Sequence, residues 1–119
     1  MVIEIGNNQI VNWIGDNMIT QEYLDVLAEE MKSNYINTMN KDNLGNYNVT
    51  FDINKKYIRI VTNSYNTRSC GGFIVKEEGK FPVGTLLKSA GWAAPATNFG
   101  RGNIFNVADI KKVKWTGIS

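Results

Sequence analysis

The sequence predicts an α+β fold: an antiparallel meander sheet with one main N-terminal helix packed on it. A stripe of apolar residues at helical spacing occurs early in the 119-residue chain, and three strand-like segments then follow at short separations. The hydrophobic content of 43% is enough for one core, so residues 1–119 are predicted to form a single domain.

The chain begins with two short apolar runs, VIEI at residues 2–5 and QIVNWI at residues 9–14, separated by GNN. Glycine and asparagine favour turns, so residues 1–19 are predicted to contain a hairpin. This N-terminal hairpin is a candidate for an oligomerisation element.

The main helix is predicted over residues 20–38. Thr20 can cap its start, and acidic residues in the first turns suit the helix dipole. Apolar residues recur at helical spacing from Leu24 to Tyr35, which gives the helix one side to bury against the sheet.

The sheet is predicted from YNVTFDI at residues 47–53, YIRIVT at residues 57–62 and RSCGGFIVK at residues 68–76, which are joined by short turns. Within the third segment, Gly71 and Gly72 indicate either a β-bulge or a place where another backbone or a ligand comes close. Both interpretations stay open at this point.

The rest of the chain has weaker patterns. Residues 83–92, VGTLLKSAGW, fit either a short strand or a helical turn. The segment NVADIKKVKWTG predicts a brief helical turn followed by a terminal strand around Lys112 to Trp115.

The histidine and cysteine contents narrow the classes of function that the chain can have. The chain has no histidine and one cysteine, Cys70, so Ser-His-Asp and Cys-His catalysis and histidine acid/base chemistry lack their side chains. Zinc sites are disfavoured for the same reason. The sequence therefore predicts a protein that is not an enzyme and needs no metal or cofactor, with Cys70 in a structural role.

The net charge of +2 conceals a split. Residues 1–54 carry a net charge of −6 and residues 55–119 a net charge of +8. A basic half attracts anions, of which phosphates are a large class, although attraction between the two halves is an equal alternative. No signal peptide or membrane span is evident, so a cytoplasmic, membrane-free protein is expected.

The segment GWAAPATNFGRGNIFN, residues 91–106, has neither a helical nor a strand period. Gly100 and Gly102 allow backbone N–H groups to line a concavity, and Arg101 between them offers a guanidinium fork for phosphate. The segment is therefore a candidate wall of an anion site.

Side chains near this wall fit a nucleotide. Trp92 and Phe99 supply flat faces for a base, with core packing as the alternative, while Asn98 and Asn103 offer amides for ring edges or hydroxyls. Further phosphate contacts are predicted from the basic half of the chain: Arg59, Arg68 and Lys88.

The segments KYIRIV, RS..GFIVKEEGKF and LLKSAGWAAPATNFGRGNIF, within about residues 57–105, resemble a family of small phage proteins. These are nucleotide sponges related to the first-described Thoeris anti-defence proteins. The resemblance implies sequestration, without degradation, of cyclic ADP-ribose isomers made by bacterial TIR-domain enzymes, and in some members of cyclic oligonucleotides.

Carried over by position, the resemblance implies that Phe73 stacks on the ligand and that Arg101 contacts its phosphate, while Lys88 and Trp92 match further family positions. Two departures stand out. Ala93 occupies a position where a lysine is expected, and Gly71 and Gly72 occupy that of a Val-His pair. Both changes bear on which nucleotide is held.

The functional prediction is a non-catalytic phage protein that sequesters a cyclic nucleotide immune signal in the cytoplasm of the infected bacterium, as a homo-oligomer whose subunits enclose the ligand. The alternative is a single-stranded nucleic-acid-binding phage protein, in which the same arginines follow a backbone and the aromatics stack on bases. A third interpretation is an interaction protein whose basic face docks on a host enzyme.

Overall fold

The computed structural model describes residues 10–14, 17–39 and 45–119. It confirms the predicted α+β fold, because one long helix packs against a four-stranded antiparallel sheet whose strands follow each other in chain order. The elements are β1 (Ile10–Ile14), β2 (Asn17–Thr20), α1 (Gln21–Met39), β3 (Asn48–Ile53), β4 (Tyr57–Ser64), β5 (Thr67–Val75), β6 (Leu86–Leu87) and α2 (Val107–Ile110).

The N-terminal hairpin differs from the predicted one. β1 matches the predicted second apolar run, but its described antiparallel partner is β2, which follows it directly. The predicted first run, residues 2–5, lies outside the described residues. Strand β2 was not predicted, because Thr20 was assigned as the helix cap and residues 17–19 lay in the predicted hairpin region without a strand of their own.

Helix α1 forms where its apolar stripe predicts it. Its buried residues contact the face of the sheet formed by alternate strand residues such as Val49, Ile58, Ile60 and Ile74. This layer is the main core of the domain, and the helix contributes to it with Leu24, Leu27, Ala28, Met31 and Tyr35.

The glycine pair in β5 satisfies both interpretations of its sequence. Ile60 pairs with Gly72 and Val61 with Cys70, so Gly71 has no partner on β4 and forms a bulge. The Gly71 carbonyl instead accepts a hydrogen bond of 2.7 Å from the backbone N–H of Ile118. The chain after α2 therefore returns to the sheet at the bulge.

The terminal strand predicted around Lys112 to Trp115 is not formed. The Trp115 carbonyl accepts a hydrogen bond from the Tyr47 hydroxyl at 2.8 Å, and the Trp115 N–H donates to Asn34 Oδ1 at 2.8 Å. Side chains thus take the backbone groups that a strand would use, and an isolated bridge joins Lys114 and Gly117.

The preceding segments have the weak structures that their sequences suggest. VGTLLKSAGW contains only the two-residue strand β6, and NVADIKK begins with the single-turn helix α2. The side chain of Asn106 caps α2 by accepting a hydrogen bond of 2.9 Å from the Ala108 N–H. Neither α1 nor α2, the helices within the described ranges, has the length and apolar character needed to cross a membrane.

Candidate ligand-binding site

The face of the sheet opposite α1 carries the candidate site. Asp52, Arg59 and Phe73 are in register across β3, β4 and β5, and strand alternation places them away from the buried helix-facing residues. This face has no helix of the described chain packed on it, and part of it is covered by the segment that follows β6.

Four residues on this face form what we call the arginine–tryptophan cluster: Asp52, Arg59, Arg68 and Trp92. The Cζ atoms of Arg59 and Arg68 lie 4.6 and 5.2 Å from the centroid of the Trp92 ring. Both guanidinium groups also approach Asp52 Oδ2, at 2.9 Å from Arg59 Nη1 and 3.6 Å from Arg68 Nη2. Three sequence-predicted site residues are therefore brought together.

Trp92 lies at the end of a tight loop. An isolated bridge joins Ser89 and Pro95, and the Ala90 N–H donates to the Ala94 carbonyl at 3.0 Å. The loop is tied to the sheet because Arg59 Nε donates to the Trp92 carbonyl at 2.8 Å. The indole is 42% exposed, so Trp92 is not a core residue.

The two arginines of the cluster differ in accessibility. The side chain of Arg59 is 16% exposed, whereas that of Arg68 is 55% exposed. Arg59, with three partners, fixes the loop and the carboxylate, while Arg68 offers N–H groups to solvent. Two guanidinium groups and one carboxylate leave the cluster with a net positive charge, which favours an anion.

Phe73 lies beneath the cluster and not at its surface. The ring is 2% exposed and packs with Val75, Leu87 and Tyr57, and its centroid lies 5.9 Å from Arg59 Cζ. A ring buried on this face has no free side for a ligand, so the stacking role that the resemblance implies for Phe73 does not fit this arrangement. Phe73 instead supports Arg59 from below.

Phe99 and Arg101 form a second cation–π pair, separate in its contacts from the cluster. Arg101 Cζ lies 4.1 Å from the centroid of the exposed Phe99 ring. The ion pairs of the described residues do not include Arg101. This pair places a cation beside an aromatic face, and Asp109 lines the same concavity as Arg101; Arg101 stays a second candidate for binding an anion.

Two of the backbone N–H groups in the predicted anion concavity are used within the protein. The Arg101 N–H donates to the Leu86 carbonyl at 2.8 Å, and the Asn103 N–H donates to Asp109 Oδ2 at 3.0 Å. These N–H groups are therefore taken by the protein itself. A carboxylate beside the segment also disfavours a phosphate bound by the main chain.

Of the remaining predicted site residues, one has a structural role and two lie at the surface. Asn103 is committed to the fold, since its Oδ1 accepts from the Phe105 N–H at 2.9 Å and its Nδ2 donates to the Val83 carbonyl at 3.4 Å. Lys88 and Asn98 are exposed and contact none of the four cluster residues through a hydrogen bond or ion pair of the described chain.

Asp52 was not among the predicted site residues. Its signal was available, because strict alternation in residues 47–53 places Asp52 on the polar face and hairpin pairing sets it opposite Arg59. No group of three or more His, Cys, Asp or Glu residues in the described chain could hold a metal ion.

A family model described as a family of unknown function (DUF7717) matches residues 8–118, and the chain therefore belongs to that family. No curated protein and no solved structure matches the chain.

Proposed function

We propose that this member of a family of unknown function is a non-catalytic binding protein that captures a nucleotide at the arginine–tryptophan cluster. The observation that carries the proposal is the half-exposed Trp92 ring with two guanidinium groups over it, both aligned by one carboxylate. A flat aromatic face beside fixed cations suits a molecule that has both a base and a phosphate.

Each residue of the cluster has a distinct part in this binding. Arg68, the exposed cation, contacts the phosphate, and Trp92 stacks on the base. Asp52 and Arg59 hold these two groups in position before the ligand arrives, which lowers the entropy lost on binding. The ligand competes with Asp52 for the Arg68 guanidinium, whose distance to that carboxylate is the longer one at 3.6 Å.

The chemistry of the cluster supports binding without turnover. The chain contains no histidine. Asp52 is the carboxylate of the cluster, and its Oδ2 already faces two guanidinium groups, so it is poorly placed to take a proton from a ligand. The captured molecule is therefore held and returned unchanged.

The resemblance of residues 57–105 to phage nucleotide sponges suggests the biological role of this binding. The protein is a phage anti-defence factor that sequesters cyclic nucleotide immune signals, with cyclic ADP-ribose isomers first and cyclic oligonucleotides second. It acts in the cytoplasm of the infected bacterium. Sequestration works through a slow off-rate, which stacking, charge-assisted hydrogen bonds and exclusion of water all favour.

Exclusion of water requires a cover over the cluster, and we assign that cover to a second subunit. The opposite charges of the two halves of the chain, −6 and +8, suit contact between copies. Light scattering at micromolar concentration is expected to give a homo-oligomer. A monomer at that concentration contradicts the enclosed site.

The test is depletion followed by release. The protein is incubated with cyclic ADP-ribose isomers, cyclic dinucleotides and single-stranded oligonucleotides, filtered, and heated to free what it holds. The expected result is depletion of a cyclic nucleotide that returns intact. Altered ligand indicates an enzyme, depletion that grows with oligonucleotide length supports the nucleic-acid alternative, and no depletion contradicts the proposal.

Substitutions then locate the site. Arg68→Gln and Trp92→Leu are each expected to weaken binding about tenfold or more, since a charge-assisted hydrogen bond or a stacked base contributes roughly 1–3 kcal/mol. Lys55→Gln removes an exposed cation from the turn between β3 and β4 and serves as the charge-matched control. If Arg101→Gln abolishes binding while Arg68→Gln does not, the ligand lies at the Phe99–Arg101 pair instead.

A further inference from the structure

The turn between β4 and β5 lies beside the arginine–tryptophan cluster and forms a concavity of its own. This tip concavity has a volume of about 570 Å³, and its wall includes Asn46, Asn63, Tyr65 and Arg68. Arg68 belongs to both places, because its guanidinium also lies over Trp92 and beside Asp52. The two surfaces are therefore continuous through one side chain.

The turn has an unusual residue for its backbone. Ser64 pairs with Thr67, so Tyr65 and Asn66 form a two-residue loop, and both have positive φ, at 50° and 66°. A type I′ turn of this kind favours Asn-Gly, whereas a bulky residue such as tyrosine is strained at positive φ. Nevertheless Tyr65 is present, and it is 67% exposed.

An exposed ring adds little stability to offset that strain, so the presence of Tyr65 indicates a role at the surface. The groups around Tyr65 suit a nucleoside. Asn63 and Arg68 are in register across β4 and β5, and both line the concavity together with Asn46, so amide groups lie beside the shared guanidinium. Amides can pair with the edges of a base, and a tyrosine ring can stack on its face.

We propose that the tip concavity binds a second nucleoside of the same ligand. This inference rests on the proposed function. One base stacks on Trp92, a phosphate lies at Arg68, and the second base stacks on Tyr65 beside Asn63. Among the proposed ligands, this arrangement favours cyclic oligonucleotides, in which two nucleosides are joined through phosphate, over cyclic ADP-ribose isomers, which carry one base.

The experiment compares two probes, 5′-AMP and cyclic diadenylate, by calorimetry with the full chain. Wild-type protein is expected to bind cyclic diadenylate at least tenfold more tightly than 5′-AMP, because a second stacked base adds to the interaction. Tyr65→Asn is expected to weaken cyclic diadenylate binding about tenfold and to change 5′-AMP binding less than twofold.

Tyr65→Asn is suited to this test because asparagine is favoured at positive φ, so the variant keeps the turn and loses only the ring. Tyr65→Phe keeps the ring and is expected to retain cyclic diadenylate binding. Melting temperatures of both variants show whether the fold is intact.

The outcomes separate the two proposals. If 5′-AMP binds and cyclic diadenylate binds no more tightly, or if Tyr65→Asn leaves both affinities unchanged, the second nucleoside site is wrong and the nucleotide site at Trp92 stands. If neither these probes nor the cyclic nucleotides of the depletion test bind, both proposals fall.

Discussion

Gly117 lies against the bulge of β5 with a φ of 122°. A Cβ atom at this position would overlap the Gly71 carbonyl oxygen, which is backbone and cannot rotate away. Gly117→Ala is therefore expected to destabilise the protein by roughly 2–4 kcal/mol, from both the overlap and the left-handed backbone. Urea denaturation followed by circular dichroism measures the change.

Gly91 is the matched control for this substitution. A Cβ atom there meets nothing within 4 Å, and its φ is not in the left-handed region. Gly91→Ala is expected to change the free energy of unfolding by less than about 0.5 kcal/mol. Equal effects of the two alanines would mean that the contact between residue 117 and the bulge does not hold the chain after α2 in place.

Tyr47 makes the stability of the fold sensitive to alkaline pH. Burial, and secondarily the neighbouring Tyr35, raises the pKa of the Tyr47 hydroxyl above its usual value. The unfolded chain loses this proton at a pKa of about 10, whereas the folded chain keeps it to higher pH. The contribution of the protonated hydroxyl is thus complete below pH 10 and is lost as the pH rises further.

Melting temperatures from pH 7 to 11 measure this effect. Tyr47→Phe is expected to be less stable at pH 7 by roughly 1 kcal/mol, because it loses the hydrogen bond to the Trp115 carbonyl. Its stability is expected to fall less than that of wild-type protein above about pH 10. Parallel curves for the two proteins would mean that another group causes the alkaline loss.

At the scale of elements, substitutions in the turn of the β4–β5 hairpin are expected to increase the stability of the protein. Replacing Tyr65 and Asn66 together by Asn and Gly installs the residues that a type I′ turn favours. The expected gain in the free energy of unfolding is about 0.5–1 kcal/mol, since strain at positive φ is relieved. Chemical denaturation measures it, and a loss of stability would show that the Tyr65 ring supports the fold.

The elements that the sequence predicts well are those with a strong period. The stripe from Leu24 to Tyr35 repeats at helical spacing, and Tyr47 to Ile53 alternates strictly, so α1 and the meander are confirmed. Short elements are decided by contacts with distant residues. The strand predicted around Lys112 to Trp115 is absent because Asn34 and Tyr47 bind the Trp115 backbone.

The candidate site was predicted in part. Arg59, Arg68 and Trp92 are indeed close to one another, and the pairing of Asp52 with Arg59 follows from alternation in two neighbouring strands. Two features were out of reach. The residue type of Phe73 does not show whether its ring is exposed or covered. The cover over this face depends on where the Trp92 loop docks, and Trp92 lies 33 residues from Arg59 in the chain.

At the scale of the whole molecule, part of the charge split is a difference between layers, although Asp52 of the acidic half lies at the cluster. The acidic residues of α1, such as Glu29 and Glu30, are in the helix layer, whereas Arg59 and Arg68 of the basic half meet Trp92 on the opposite face of the sheet. A negatively charged ligand at the cluster is thus separated from the helix acids by the sheet, which favours its approach from the open side.

This arrangement predicts how binding depends on salt. A cyclic nucleotide with one or two phosphates meets few cations at the cluster, so its affinity is expected to fall by less than about tenfold between 50 and 200 mM salt. A single strand that follows a basic surface releases many counterions, and its affinity would fall by roughly 10²- to 10⁴-fold if it made six to ten phosphate contacts.

Titrations of a captured cyclic nucleotide and of oligonucleotides of increasing length, each at several salt concentrations, measure the two slopes. A shallow slope for the cyclic nucleotide, with weak oligonucleotide binding that does not grow with length, is the expected result. A steep slope that increases with strand length would mean that Arg59, Arg68 and the other cations of the basic half act as a track for a nucleic-acid backbone. In that case the single-stranded nucleic-acid alternative would replace the nucleotide site.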